Sequence, residues 1–369
     1  MTPGADRARV LCFATKGSGS NEEDRIVQLL ADVAPELYAF DRGNKAANVL
    51  RLLRAMRRSQ PDLVVMEGTG IAGGLALLLA RMLLRVPFVV SSGDAVGPFL
   101  AGRRRALAVP GWIYETALYR AAAGFIGWTP YLAGRALTMG CPRVMTAAHF
   151  AADPEIRLSR AEVRRRLGIS DSAIVAGIVG NLAWNDRYGY CYGWELVAAM
   201  RHVRRADVVV VVAGGGTGVD RLRELAGDDV GRRVLVPGPI EPELVVSYLA
   251  AMDIGSLPQS VDQVGGSRYT TKLPEYIAAR LPVVTGQIAA AYDLMSDWSW
   301  RLPGDAPWDS RYVGALARLL EDVTADDVER LRAAIPDELI LFSAPDQRRR
   351  ASGFVLDVIE RERHHASSA

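Results

Sequence analysis

Twice along this chain, short runs of β-branched residues alternate with longer stretches whose apolar residues recur every three or four positions. Such alternation specifies βαβ units feeding parallel sheets, because parallel neighbours need a crossover and both sheet faces must be covered. In the first half, strands are expected over 9–14, 36–39, 63–66, 88–91, 124–127 and 144–147, with helices over 26–33, 46–58 and 73–84. The pattern then restarts, with strands over 173–179, 208–213, 234–237, 254–257 and 283–285 separated by helices over 195–203, 219–226, 243–251 and 272–279. The fold class is therefore α/β, with a doubly wound, Rossmann-like domain over 1–160 and a second over 161–345. Asp153-Pro154 and the run Arg164, Arg165 and Arg166 lie in the stretch where one domain gives way to the next. Residues 346–369 supply a last helix, expected to cross back to the first domain.

A chain of 369 residues, 50% hydrophobic and 23% charged, has ample material for two cores and excludes global disorder or a disulfide miniprotein. Lys and Arg total 44 against 42 Asp and Glu, too balanced for a dedicated nucleic-acid binder. The charge is nevertheless uneven: residues 1–160 carry 20 basic and 13 acidic side chains, a local +7, which leaves −5 for the remainder. Cys12, Cys141 and Cys191 match no zinc or redox spacing, so reduced thiols and a cytoplasmic setting are expected. The N-terminal segment has no apolar stretch of signal-peptide type and reads as a first strand. The most apolar region, 71–90, is broken by Arg81, Arg85 and Pro87, so no transmembrane helix is expected.

Several segments carry chemistry. The first strand runs into Lys16-Gly17-Ser18-Gly19-Ser20 before a helix that opens on acidic residues. Gly17 and Gly19 mark either a ligand loop with open amides or a tight turn. Strand 208–213 ends at Gly214-Gly215-Gly216, at the sheet edge where open α/β folds bind nucleotides; Gly215 is the candidate contact. Further on come Pro237-Gly238-Pro239-Ile240, then Ala251-Met252-Asp253 leading to Leu257-Pro258, then Thr270-Thr271-Lys272-Leu273-Pro274-Glu275, and Leu281-Pro282-Val283-Val284. A carboxylate at 275 suits ribose hydroxyls, while Thr270 and Thr271, at the expected N-cap, and the Lys272 cation suit a diphosphate.

In that order these segments resemble the nucleotide-sugar domain of GT-B glycosyltransferases, most closely the retaining family 4, or group 1, type. The resemblance extends to the first half through Asp62 to Gly68, Val86 to Asp94 and Phe125 to Arg143. It implies two Rossmann-like domains facing each other across a cleft, with an acceptor held by the first and a sugar nucleotide by the second. It also implies transfer of a sugar to a hydroxyl acceptor (glycan, glycolipid or lipid-linked saccharide), with retention of anomeric configuration implied by the family alone. Glu275 takes the family's ribose position, and Pro239 and Ile240 lie at the base edge. The nucleotide sugar is a co-substrate, and no cofactor is implied.

The chain also departs from the family pattern. Ser267 stands where a second glutamate is usual, eight residues before Glu275, with Asp262 nearby as a possible substitute. In the loop after strand 173–179, Arg187 is the single cation, a candidate for neutralising the leaving diphosphate. Asp94 is the candidate acceptor-side group, with Gly93 where the family often has histidine; Glu67 has a weaker claim. No Asp-x-Asp follows a strand, so metal-independent transfer is expected. Arg51, Arg54, Arg57 and Arg58 on one helix, and Arg103, Arg104 and Arg105 before an apolar segment with Trp112 and Tyr114, suggest an anionic membrane surface as partner or simply a solvated basic face. The rival functions are a non-catalytic sugar-nucleotide-binding subunit and a GT-B-type sugar-nucleotide epimerase.

Overall fold

The computed structural model describes residues 8–150, 155–337 and 340–367. The chain divides into two units, the first comprising 1–149, 267–269 and 340–369, the second 150–266 and 270–339.

The first unit opens with β1 (Val10–Ala14), α1 (Asn21–Leu29), β2 (Glu36–Leu37), α2 (Lys45–Ser59), β3 (Leu63–Glu67) and α3 (Ile71–Leu83). It continues with β4 (Phe88–Ser92), α4 (Val96–Arg103), α5 (Ala108–Ala121), β5 (Gly124–Gly127), α6 (Pro130–Thr138) and β6 (Val144–Thr146). All its strands run parallel, in the order β2-β1-β3-β4-β5-β6. Helix starts follow local chemistry: the Ser20 hydroxyl accepts from the Glu23 amide, Asn44 from Ala47, and Thr129 from Leu132 ahead of Pro130.

The second unit contains α7 (Arg160–Leu167), β7 (Ile174–Val179), α8 (Trp194–Met200), β8 (Val208–Ala213), α9 (Val219–Ala226), β9 (Val234–Gly238) and α10 (Val245–Ala250). Then follow β10 (Ile254–Leu257), α11 (Lys272–Ala278), β11 (Val283–Gly286), α12 (Ala290–Asp293), β12 (Ser299–Leu302), α13 (Ser310–Asp322) and α14 (Ala325–Ala333). Its parallel sheet has the order β12-β11-β10-β7-β8-β9. At the amino end of β10, Asp253 accepts from Arg160, Arg164 and the Val175 amide at 2.6, 2.7 and 2.8 Å. The buried Arg164 also donates to the carbonyls of Ala251, Ser170, Asp171 and Ala173, so this motif aspartate anchors α7 to the sheet.

The last helix, α15 (Ala344–Ser367), belongs to the first unit. Its Ala351, Val355, Val358 and Ile359 share a core with Val10, Cys12, Ile26 and Leu29. On the other face of the same sheet, Leu52 and Met56 of α2, Ala76 and Leu77 of α3 and Leu118 of α5 pack with Phe13, Val64 and Phe88.

Some expected boundaries shift. The strand expected over 36–39 shortens to Glu36–Leu37, an exposed edge with no apolar face to bury. The helix expected over 26–33 begins earlier, at Asn21, and closes in a 3₁₀ turn, Ala31–Val33. The stretch 243–251 divides into a 3₁₀ turn, Pro242–Leu244, and α10. Of the boundary stretch, 151–154 lie outside the described residues. All three cysteines are free and buried, and burial pushes the Cys12 thiol up to about 12.

Candidate functional site

Three loops are knitted together at the carboxyl edge of the second sheet. The Gly180 amide donates to Ala213 O, Gly214 N–H to Gly238 O, and Leu182 N–H to Gly215 O, at 2.9, 2.8 and 2.9 Å. Glycine is required at 214 and 216: both have positive φ (+146° and +150°), and a Cβ at 214 would lie 1.8 Å from Gly180 O. Gly215 lies against Pro239, where an added Cβ would stand 3.2 Å from the ring. Gly215 and Pro239 thus lie side by side, with the half-buried Ile240 next in sequence.

Lys272, the first residue of α11, reaches toward this edge. Its Nζ lies 4.7 Å above the Tyr192 ring, and a Cβ on Gly180 would come within 2.5 Å of it. Glu275 stands one turn further along α11. Burial lowers the Lys272 pKa and raises that of Glu275, and each charge partly offsets the shift of the other. Among the described residues, neither the ammonium nor the Glu275 carboxylate makes a hydrogen bond or an ion pair, and the buried Thr270 hydroxyl has no partner. Thr271 occupies the N-cap position of α11 without a side-chain capping bond, and the Leu273 amide is taken by Thr270 O. The expected hydroxyl cap is therefore not formed by either threonine.

Beneath α11, Glu195 of α8 is fully buried and accepts from Ser256 Oγ at 2.6 Å and Tyr190 Oη at 2.9 Å. Tyr276 Oη donates to Ser256 O at 2.6 Å, which ties α11 to the same network. Burial raises the Glu195 pKa. Sequence reasoning missed Glu195; a carboxylate in the first turn of an otherwise apolar helix was the available signal. Arg187 is on the exposed turn closed by the Asn185–Tyr190 bridge, with its guanidinium 5.2 Å from the Tyr188 ring centroid. Tyr188 stacks on Trp308 at 4.6 Å and Tyr190 meets the same indole at 5.0 Å, so the aromatic loop packs on its own unit.

In the first unit, Gly17 and Gly19 have φ of +93° and +73°, and the Gly19 amide donates to Glu23 Oε1 at 2.9 Å. The glycines are accounted for by a turn whose amide is already satisfied by its own helix, rather than by an open anion cradle. Glu67, at the end of β3, is wholly enclosed: Arg25 Nη1 donates to it at 2.6 Å and Trp128 Nε1 at 3.0 Å. Arg25 Nη2 donates to Ala147 O at 2.6 Å, and the guanidinium sits 4.5 Å from the Trp128 ring centroid. Glu67 is thereby a structural anchor and not an acceptor contact. Asp94 follows β4 and remains half-exposed, with Arg268 Nε donating to its Oδ1 at 2.6 Å. Ser267 O accepts from Thr129 Oγ1 at 2.9 Å, so the residue at the family's second-glutamate position takes part in backbone docking within the first unit. Asp262 accepts from the Val264 and Gly265 amides at 2.8 Å and shapes its own loop. Among the described residues, no group of three or more His, Cys, Asp or Glu side chains is placed to hold a metal ion.

Residues 4–148 match the glycosyl transferase 4-like domain and residues 173–322 the glycosyl transferases group 1 domain. No curated protein matches the sequence. The fold is similar to that of Anabaena HepE in complex with UDP and glucose, with TM-score 0.62, 14% identity and coverage of 98% of this chain and 100% of that one. It is also similar to sucrose-phosphate synthase from Thermosynechococcus elongatus, with TM-score 0.65, 14% identity, and 96% and 100% covered. A putative UDP-N-acetylglucosamine 2-epimerase from Listeria monocytogenes shares it too, with TM-score 0.56, 14% identity, and 95% and 87% covered. With both halves matched and two parallel Rossmann-like sheets in place, the chain belongs to the GT-B glycosyltransferases of the group 1, family 4-like type.

Proposed function

We propose that this glycosyltransferase takes its sugar from a nucleoside-diphosphate donor bound at the carboxyl edge of the second sheet, and passes it to a hydroxyl acceptor held by the first unit. The observation that carries this is the cluster of Lys272, Glu275 and Thr270: a cation, an anion and a hydroxyl, largely enclosed, with hydrogen-bonding capacity that no described residue meets. Structural groups of that kind are normally saturated, whereas binding groups keep capacity for a ligand.

Lys272 is assigned to the leaving diphosphate, where a cation in a low-dielectric setting is most effective and where it acts in place of a divalent metal. Thr270 and Thr271 offer hydroxyls to the same phosphates, and Glu275 accepts from the ribose. Pro239 and Ile240 border the base, and Gly215 lets the backbone approach it. Arg187, on its exposed turn, has a secondary role toward the departing phosphate. Asp94 orients the acceptor hydroxyl, and retention of configuration follows the family. The UDP held by the Anabaena relative makes a uridine diphosphate the first donor base to test.

The test is calorimetric titration of UDP, UDP-glucose, GDP and ADP into the protein and its Lys272→Ala and Glu275→Ala variants, followed by product analysis with the donor that binds. One nucleotide diphosphate is expected to bind, with affinity reduced about tenfold or more in each variant. Binding unchanged in both variants, or conversion of the sugar to its epimer without any acceptor, overturns the proposal.

A further inference from the structure

Glu195 is wholly buried in a helix whose following residues, Leu196 to Met200, are buried and apolar. Enclosing a carboxylate costs free energy that an apolar side chain of the same length would not, so the stability of α8 does not account for a glutamate at this position. The turn into α8 is built to bring it there: Gly193 has φ of +85°, and a Cβ on it would lie 2.4 Å from Val212 Cγ1 of β8.

The two oxygens of this carboxylate serve different elements. Oε2 accepts from Tyr190 Oη at 2.9 Å, and Tyr190 closes the turn 185–190 through its backbone bridge with Asn185, two residues before Tyr192. Oε1 accepts from Ser256 Oγ of β10 at 2.6 Å, and Ser256 O accepts from Tyr276 Oη of α11 at 2.6 Å. Tyr276 stands one turn after Lys272, whose Nζ lies 4.7 Å above the Tyr192 ring. The loop that supplies the ring and the helix that supplies the ammonium are thus both registered on Glu195. Because Thr271 gives α11 no side-chain cap, this tie from beneath is a polar restraint on its first turn. Composition singles out the same cation: 41 of the 44 basic residues are arginines, and Lys16, Lys45 and Lys272 are the three lysines. The narrow space between Gly180 and the Tyr192 ring suits a compact ammonium better than a planar guanidinium.

We propose that Glu195 is a positioning residue of the donor site. Through Tyr190 it holds the Tyr192 ring, and through Ser256 and Tyr276 it holds α11, so that the Lys272 ammonium stands where the donor diphosphate meets it. The consequence for the donor rests on the site proposed above, whereas the placement of Lys272 by Glu195 is measurable without any nucleotide.

The test exploits the scarcity of lysine. Carbon-13 labelling of the lysine ε-methylenes in the full chain gives three NMR signals, and that of Lys272, identified by its loss in Lys272→Met, is expected upfield of the other two under the Tyr192 ring current. Glu195→Met, with a cooperative melt that shows an intact fold, is expected to lose this displacement and to lower the affinity for UDP in calorimetric titration about tenfold. Glu195→Gln, whose carbonyl and amide groups can both be met by hydroxyls, is expected to retain both. Tyr276→Phe removes only the α11 end of the network and is expected to move the signal in the same direction, so the result does not depend on Glu195→Met folding. In a Lys272→Ala background, Glu195→Met is expected to cause no further loss of UDP affinity. An unmoved Lys272 signal in Glu195→Met and Tyr276→Phe, a Glu195→Gln that fails as Glu195→Met does, or additive losses with Lys272→Ala each overturn the proposal. UDP affinity unchanged by Lys272→Ala, with the displacement lost in Glu195→Met, overturns the donor assignment and supports the placement of Lys272 by Glu195.

Discussion

Each sheet of this protein has, near its carboxyl edge, a basic side chain associated with a glutamate, and the two arrangements are built in opposite ways. In the first, Arg25 and Glu67 are in direct contact, each held by further donors or acceptors and covered by Trp128. In the second, Lys272 and Glu275 influence each other through space, but among the described residues neither is hydrogen-bonded. Both are largely removed from water, so burial does not separate structure from function here. The number of partners does: Arg25 and Glu67 share four hydrogen bonds with each other and their surroundings, leaving the Arg25 Nε over, and hold the fold, whereas Lys272 and Glu275 have none among the described residues and are available to a ligand.

Four experiments break or sharpen this contrast. The largest effect is expected from Glu67→Ala or Arg25→Ala, which leaves one buried charge alone and costs about 3–5 kcal/mol of stability. Urea denaturation measures it, and a midpoint close to wild type would mean that the pair is not an anchor. Next, Lys272→Ala is expected to lower donor turnover about 100-fold, equivalent to about 2.7 kcal/mol, while its urea midpoint stays at or above that of wild type. If Lys272→Ala destabilised the protein as Arg25→Ala does, the two pairs would be alike.

Gly180→Ala is a subtler probe. The new Cβ crowds only the flexible end of Lys272 and touches the Tyr192 ring at an ordinary 3.7 Å, so the fold is spared while the ammonium is displaced. Donor affinity is expected to fall about tenfold, or about 1.4 kcal/mol, with the thermal midpoint unchanged; an unchanged dissociation constant would separate Lys272 from the ligand.

The smallest effect is a pH dependence. Because Lys272 has a lowered pKa in the folded protein, the unfolded chain binds the additional proton between that value and the ordinary lysine value. Stability contributed through this group therefore rises with pH across that window, while diphosphate affinity falls as the ammonium is lost. Titrating both quantities in wild type and in Lys272→Met checks the sign, the variant being flat in each.

Much of this arrangement was legible from the sequence where the signal is local. Strands β8 and β10 begin and end where their apolar runs do, because each is buried along its length. Strand β12 escaped notice: Ser-Trp-Arg-Leu has no β-branched residue and pairs only with β11. Helices α4 and α5 were hidden by glycines, prolines and three successive arginines, and by the exposed apolar residues that blur their periodicity. At the site, Lys272 and Glu275 share one helix and could be read from spacing. The contact of Lys272 with Tyr192, the enclosure of Glu67 by Arg25 and Trp128, and the network around Glu195 join residues far apart in sequence. No spacing rule reveals such pairings, since the fold itself creates them.

Helix α15 has a consequence for how the protein is made. Its Ala351, Val355, Val358 and Ile359 complete a core begun by Val10, Cys12 and the Ile26 and Leu29 of α1, so one face of the first sheet stays only partly covered until the whole second unit has been translated. The second unit has all its strands at that moment and can fold first, reversing the usual N-to-C order of domain folding on the ribosome. During synthesis, the nascent first sheet is therefore the surface most in need of a chaperone.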